Sequence, residues 1–183
     1  MLRPRPADGE PLSSRSKALD FEGEKVLMKI WKYLSPENIF LGLALSSKDG
    51  ILRYVADACQ HSGIVQNPEP IYQGLVLREN MMSTGVGGGI GLPHTTCADV
   101  EDAAVMLIRP AEAVDFDAID HVPVDIVLAL IIPENNLALH LRILAGISRL
   151  CKNMDFLNAV RTETDSKKLL YAIENIENHM AFH

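Results

Sequence analysis

The chain has no apolar run long enough to cross a bilayer: its longest, Ile126 to Ile132 before Pro133, is far shorter than the ~20 residues a spanning helix needs. The N-terminus, with its prolines and Asp8, Glu10 and Asp20, also lacks the apolar stretch of a secretory signal. These absences predict a cytoplasmic protein with no membrane insertion. Basic residues are scarce as well. Lys and Arg total 17 against 24 Asp and Glu, a net charge of −7, so the general field repels nucleic acid and anionic lipid. Any anionic ligand must be gripped locally. Cysteine is sparse: Cys59, Cys97 and Cys151 are an odd number at wide spacing, which predicts reduced packing thiols rather than a disulfide framework.

What remains is an ordinary globular composition, 48% hydrophobic and 22% charged over 183 residues, enough for one domain with a real core. Residues 1 to about 17, rich in Pro, Ser, Arg and Gly, read as an unpacked tail. Phe21 to Tyr33 is expected to form a short amphipathic helix through Val26, Leu27, Ile30 and Trp31, ended by Pro36. Ile39 to Leu45 reads as a strand leading to the N-cap residues Ser46 and Ser47, and a helix follows over 48–61 with Gly63 as its C-terminal cap. A second helix is expected over 69–81, with Ile71, Leu75 and Val76 inward.

Ala103 to Ile108 and Val124 to Ile132 are apolar enough for buried strands lying side by side. Asn135 or Asn136 caps a helix over 137–151, with Leu137, Leu141, Leu144, Ile147 and Ser148 on one face. Thr164 or Asp165 caps another that runs to about Met180 through Leu169, Leu170, Ile173 and Ile176. Strands and helices interleave, so the fold class is α/β.

The least ordinary stretch is Ser83 to His94, in which five glycines occupy the seven positions from Gly85 to Gly91 and predict a loop. Successive glycine N–H groups can point into one concavity and hold phosphate, which makes Thr84, Gly85, Gly87 and Gly89 candidate phosphate-binding residues. Neither nucleotide motif fits. The Gly-Lys-Ser/Thr of a P-loop is missing, and the dinucleotide fingerprint would need glycine where Ile90 or Leu92 stands.

Pro93 fixes the backbone ahead of His94, giving an exposed imidazole a defined direction. A neutral imidazole is a competent phosphoryl acceptor, and its phosphorylated form is a good donor. Such a site needs positive charge for the phosphoryl oxygens and a group that fixes the ring; Arg78 and His140 are the candidates. Read alone, Arg78 is a solvated helix charge and His140 a half-buried helix residue. A zinc site at His94, Cys97 and His140 lacks the paired spacing such sites show, so no metal and no cofactor is expected.

These residues resemble the type 2 enzyme IIA domains of the bacterial phosphotransferase system, the fructose/mannitol type that includes the nitrogen-regulatory enzyme IIA. The likeness rests on Arg78-Glu79, on Ser83-Thr84-Gly85-Val86-Gly87 and on Gly89-Ile90-Gly91-Leu92-Pro93-His94, with Phe116 to Asp120, Pro123-Val124 and His140-Leu141 further on. It covers about Leu34 to Ile176. The resemblance implies a sandwich with a small mixed sheet flanked by helices. It also implies that His94 takes phosphate from HPr or its nitrogen-branch counterpart, with His140 bonding near the ring and Arg78 holding the phosphoryl charge.

A stoichiometric carrier passing phosphate to a IIB domain and a regulatory module binding a kinase or transporter are both compatible with that resemblance. Thr95 stands where the family usually has glycine, and His121 where it often has glycine. Residues 1–27 have no family counterpart and are expected to be a flexible extension, either a dispensable tail or an early start-codon assignment, to a domain covering 28–183.

Overall fold

The computed structural model describes residues 28–180 of the chain. Six strands form one mixed sheet: β1 (Ile39–Leu43), β2 (Gly85–Gly87), β3 (Ile90–Gly91), β4 (His94–Cys97), β5 (Ala104–Pro110) and β6 (Ile126–Pro133). β1 lies parallel to β5, β5 antiparallel to β6, and β3 parallel to β6 on its other side with β2 antiparallel beyond it. β4 continues along the same edge of β6, pairing His94 with Leu130 through Cys97 with Pro133. β3 and β4 thus form one line broken at Leu92-Pro93, where proline has no N–H to give but its carbonyl still accepts from Leu130.

β6 is buried on both faces because its side chains alternate between two cores. Ile126, Leu128, Leu130 and Ile132 pack on one side, and Val127, Ala129 and Ile131 on the other. The second core is covered by helices α1 (Lys48–His61) and α2 (Glu69–Met81). The first is covered by α3 (Leu137–Leu150), α4 (Met154–Thr162), α5 (Ser166–Met180) and the 3-10 turn Ile30–Tyr33. The small mixed sheet flanked by helices is therefore the observed architecture.

Helix starts follow the expected capping chemistry: Ser47 accepts from the Gly50 N–H, Asn136 from Leu139, and Asp165 from Lys167 and Lys168. Gly63 takes φ +73° just past α1. Cys59, Cys97 and Cys151 are free and buried.

Four expectations need correction. The helix expected over 21–33 is, within the described residues, a single 3-10 turn; its first part lies outside them. The loop expected over 83–94 contains the β2–β3 hairpin, because positive φ at Gly87, Gly88 and Gly89 supplies the turn and leaves extended residues on each side to pair. α4 was not foreseen, although Asn153 caps it by accepting from Phe156, and Phe156, Leu157 and Val160 are buried. On α3 the buried stripe is Ile143, Gly146, Ile147 and Leu150, so Leu137 and Leu141, expected on one face with Ile147, stand 69% and 59% exposed and Ser148 is also exposed.

Candidate functional site

His94 opens β4, which among the described residues is bonded to the sheet on one side only and packs against α2. α2 comes close to β4 because Gly74 has no side chain there; a Cβ at Gly74 would collide with Thr95 Oγ1. The bulk that Thr95 brings after the histidine is thus accommodated by a glycine on the facing helix. One turn further along α2, on the same face, is Arg78.

Both nitrogens of the His94 ring are held. Nδ1 lies 2.8 Å from the Leu92 carbonyl, which can only accept, so Nδ1 carries the proton and donates it. Nε2 then holds the lone pair and accepts from Arg78 Nε–H at 3.2 Å. Arg78 is steadied by donating from a terminal nitrogen to the Met82 carbonyl at 2.9 Å. His140, in the first turn of α3, meets His94 edge to face with ring centroids 5.4 Å apart. Its Nε2 is buried and has no hydrogen-bond partner among the described residues.

Burial, with a smaller contribution from the Arg78 charge, holds His94 below the usual imidazole value, and burial and Arg78 do the same to His140. Both rings are therefore neutral at neutral pH. The imidazole of His94 is half-buried rather than fully exposed. What it presents is one unprotonated nitrogen beside a guanidinium, a nucleophile aimed where anionic oxygens would be met by positive charge.

The structure thus brings His94, Arg78 and His140 together. It puts the glycines to another use. Thr84 is buried and spends both its N–H and its hydroxyl on the Glu79 carboxylate. Gly85 gives its N–H to Ser83 Oγ and is too close to Ala118 for any side chain. Gly87 and Gly89 make the hairpin turn, whose tip is pinned by Asp120 accepting from the Gly88 N–H and by Arg161, which grips Asp125 and the Gly88 carbonyl. The segment expected to cradle phosphate, Thr84, Gly85, Gly87 and Gly89, forms the hairpin that leads the chain into Leu92 and His94, with the Thr84 and Gly85 donors already engaged within the fold.

Sequence reasoning gave no role to Glu79, Lys48 or the Leu92 carbonyl. Glu79, 7% exposed, faces Lys48 Nζ at 3.3 Å, and Lys48 also reaches Asp117 at 2.6 Å. The adjacency of Glu79 to Arg78 was the available signal; a backbone carbonyl gives none. His121 is exposed and takes φ +58°, a left-handed conformation that fits the glycine the family often has there. Among the described residues no group of three His, Cys, Asp or Glu side chains gathers to hold a metal, and no helix is long and apolar enough to cross a membrane.

Fold and site together define an α/β sandwich that sets a neutral, arginine-flanked imidazole at the rim of its sheet. The model of the family described as phosphoenolpyruvate-dependent sugar phosphotransferase system, EIIA 2, matches residues 32–176, and the chain belongs to that family. A nitrogen regulatory protein of Bradyrhizobium diazoefficiens is 32% identical over 143 residues, covering 78% of this chain and 92% of that one. A fructose-specific EIIA component of Haloferax volcanii is 34% identical over 104 residues, 57% of this chain and 68% of its own. The crystal structure of nitrogen regulatory protein IIA-Ntr from Neisseria meningitidis superposes with a TM-score of 0.72 at 26% identity, covering 79% of this chain and 98% of that one. The Bradyrhizobium and Neisseria similarities put the chain with the nitrogen-regulatory type of the family.

Proposed function

We propose that His94 Nε2 accepts a phosphoryl group from an HPr-type carrier, fed ultimately by phosphoenolpyruvate, and that the protein acts in the cytoplasm as a stoichiometric intermediate of a nitrogen-regulatory branch. The observation that carries this reading is the double hold on the ring, with Nδ1–H on the Leu92 carbonyl and the Nε2 lone pair facing Arg78. In the step, the Nε2 lone pair bonds phosphorus as the phosphorus bond to the carrier's nitrogen breaks. Arg78 leaves the lone pair and meets the phosphoryl oxygens, and the unpartnered Nε2 of His140 is free to join them. The ring gains positive charge as it is phosphorylated, and the Leu92 carbonyl on Nδ1–H offsets that gain.

The surroundings suit a docking partner. Leu77, Met81 and Met82 around Arg78, and Leu137 and Leu141 around His140, are exposed apolar residues on the turns that carry the site. Incubation with enzyme I, an HPr-type carrier and labelled phosphoenolpyruvate should give an acid-labile, base-stable label that the His94→Ala variant does not take up. Absence of label on the wild type, with an active control, would overturn the reading.

A second use of the same face is supported by its chemistry. Phosphorylation places negative charge amid exposed apolar side chains, which would switch binding of a regulatory target such as a kinase or transporter. The fructose-specific relative keeps transfer to a sugar-system IIB domain as the alternative destination of the phosphate. Residues 1–27 are proposed to be dispensable for the acceptor.

A further inference from the structure

The two holds on the His94 ring come from different segments of the chain. Nε2 is held from α2 through Arg78, and Nδ1 from the end of β3 through the Leu92 carbonyl. Between Arg78 and Leu92 the backbone passes through the glycine-rich hairpin, so covalent connection alone does little to keep the two holds in register. Glu79 does. It follows Arg78 on α2, and its Oε2 accepts from both the N–H and the hydroxyl of Thr84. The Thr84 carbonyl in turn accepts the Leu92 N–H at 2.9 Å.

Hydrogen bonds therefore run from Glu79 through Thr84 and Leu92 to Nδ1 of the ring, and the chain returns from Nε2 through Arg78 to Glu79. We propose that Glu79 is a positioning residue for phosphoryl transfer, closing this circuit so that the ring keeps one tautomer and one orientation. The proposal rests on the reading of His94 as acceptor. Lys48 supplies the countercharge at 3.3 Å and is itself tied to Asp117 and the Phe116 carbonyl. A carboxylate that only stabilised the fold would leave the tautomer untouched when replaced. A positioning carboxylate would not, because attack in line with the leaving nitrogen depends on the direction of the Nε2 lone pair.

The test uses Glu79→Gln, Thr84→Val and the conservative Thr84→Ser in the full chain. Nitrogen-15 NMR of the imidazole reads the His94 tautomer, and single-turnover phosphorylation by the phosphorylated carrier reads the rate, with carrier affinity measured separately. Glu79→Gln and Thr84→Val are expected to lose part of the Nδ1–H tautomer and to slow phosphorylation on the order of tenfold or more at unchanged carrier affinity. Thr84→Ser should keep both. Should Glu79→Gln fail to fold, Thr84→Val, which leaves the carboxylate its Lys48 and its backbone N–H, decides alone. Folded variants with the wild-type tautomer and rate, or with a rate loss no greater than their loss of folded protein, overturn the proposal. If the wild type itself takes no phosphate, the reading of His94 fails, and the tautomer measurement still decides whether Glu79 holds the ring.

Discussion

Among the described residues two glutamates are buried, Glu79 and Glu177, and they sit in matching places with different settings. Each lies near the C-terminal end of its helix, α2 for one and α5 for the other, where the helix dipole disfavours a carboxylate. Each is compensated by a backbone N–H from another segment and by a cation from another helix. For Glu79 these are Thr84 and Lys48; for Glu177 they are Trp31, whose N–H is 2.7 Å away, and Arg149. The difference is in closeness and in consequence. Glu79 also receives the Thr84 hydroxyl and has its cation at 3.3 Å, whereas Arg149 stands 3.8 Å from Glu177 and gives its nearer bond to the Met28 carbonyl. Burial raises the Glu177 carboxyl above the usual carboxylate range despite the opposing Trp31 and Ile30 N–H groups and Arg149. Beside the reactive ring the buried carboxylate has two Thr84 donors on Oε2 and the nearer cation; at the other station, where the start of the domain is fastened down, it has the Trp31 N–H and the farther cation, and Oε1 of each accepts no hydrogen bond among the described residues.

The largest effect that would sharpen this contrast, short of removing His94, is expected from Lys48→Met. Taking away the cation leaves Glu79 buried with Thr84 alone. Since the Lys48 side chain is 25% exposed and water screens part of the pair, the cost should be about 2 kcal/mol, below that of a fully buried pair. Urea unfolding at neutral pH measures it. A loss under a few tenths would mean that Thr84 alone satisfies the carboxylate and that Lys48 serves Asp117.

Glu177→Gln should act in the opposite direction. Because its folded value is raised, the native state binds more protons than the unfolded chain between the ordinary carboxylate value and the folded one, so stability falls as pH rises through that window. The Glu177→Gln variant escapes that fall. It should be more stable than wild type at pH 7, with the gap closing in acid, and its phosphorylation rate should be unchanged. A variant less stable at pH 7 would show that the Arg149 pair outweighs the burial cost, and the two stations would then be alike.

The sequence made some of this contrast legible and hid the rest. His94, Arg78 and His140 were readable because a proline-fixed histidine after a glycine run is rare and the motif is specific. The helices with strong caps, at Ser47, Asn136 and Asp165, were readable for the same local reasons. The hairpin was not, since glycine signals a turn by its freedom and says nothing of the residues that pair beside it. Leu137 and Leu141 misled because periodicity reports a stripe without saying whether sheet or solvent lies beneath it. Nothing local in the sequence marks Glu79 or Glu177 as buried. Their burial depends on Thr84, Lys48, Trp31 and Arg149, of which Trp31 lies 146 positions from Glu177, and no local pattern reports such a pairing.

The smallest effect is expected from removing residues 1–27, and it bears on the Glu177 station alone. That station takes its N–H from Trp31, while the Met28 carbonyl accepts from Arg149 at 2.9 Å and lies close over Gly146. A chain beginning at Met28 keeps all of these contacts, and the family match begins only at residue 32. Its unfolding free energy should stay within about 0.5 kcal/mol of the full chain, the range of changes that touch no buried partner, and His94 should take up phosphate at the same rate. A chain beginning at Leu34 loses Trp31 and Met28 and leaves both Glu177 and Arg149 without those bonds, so it should be destabilised by several times as much. Destabilisation already at the Met28 cut would place a partner of the Glu177 station within the first 27 residues. Slowed phosphorylation at unchanged stability would link that extension to the His94 face instead.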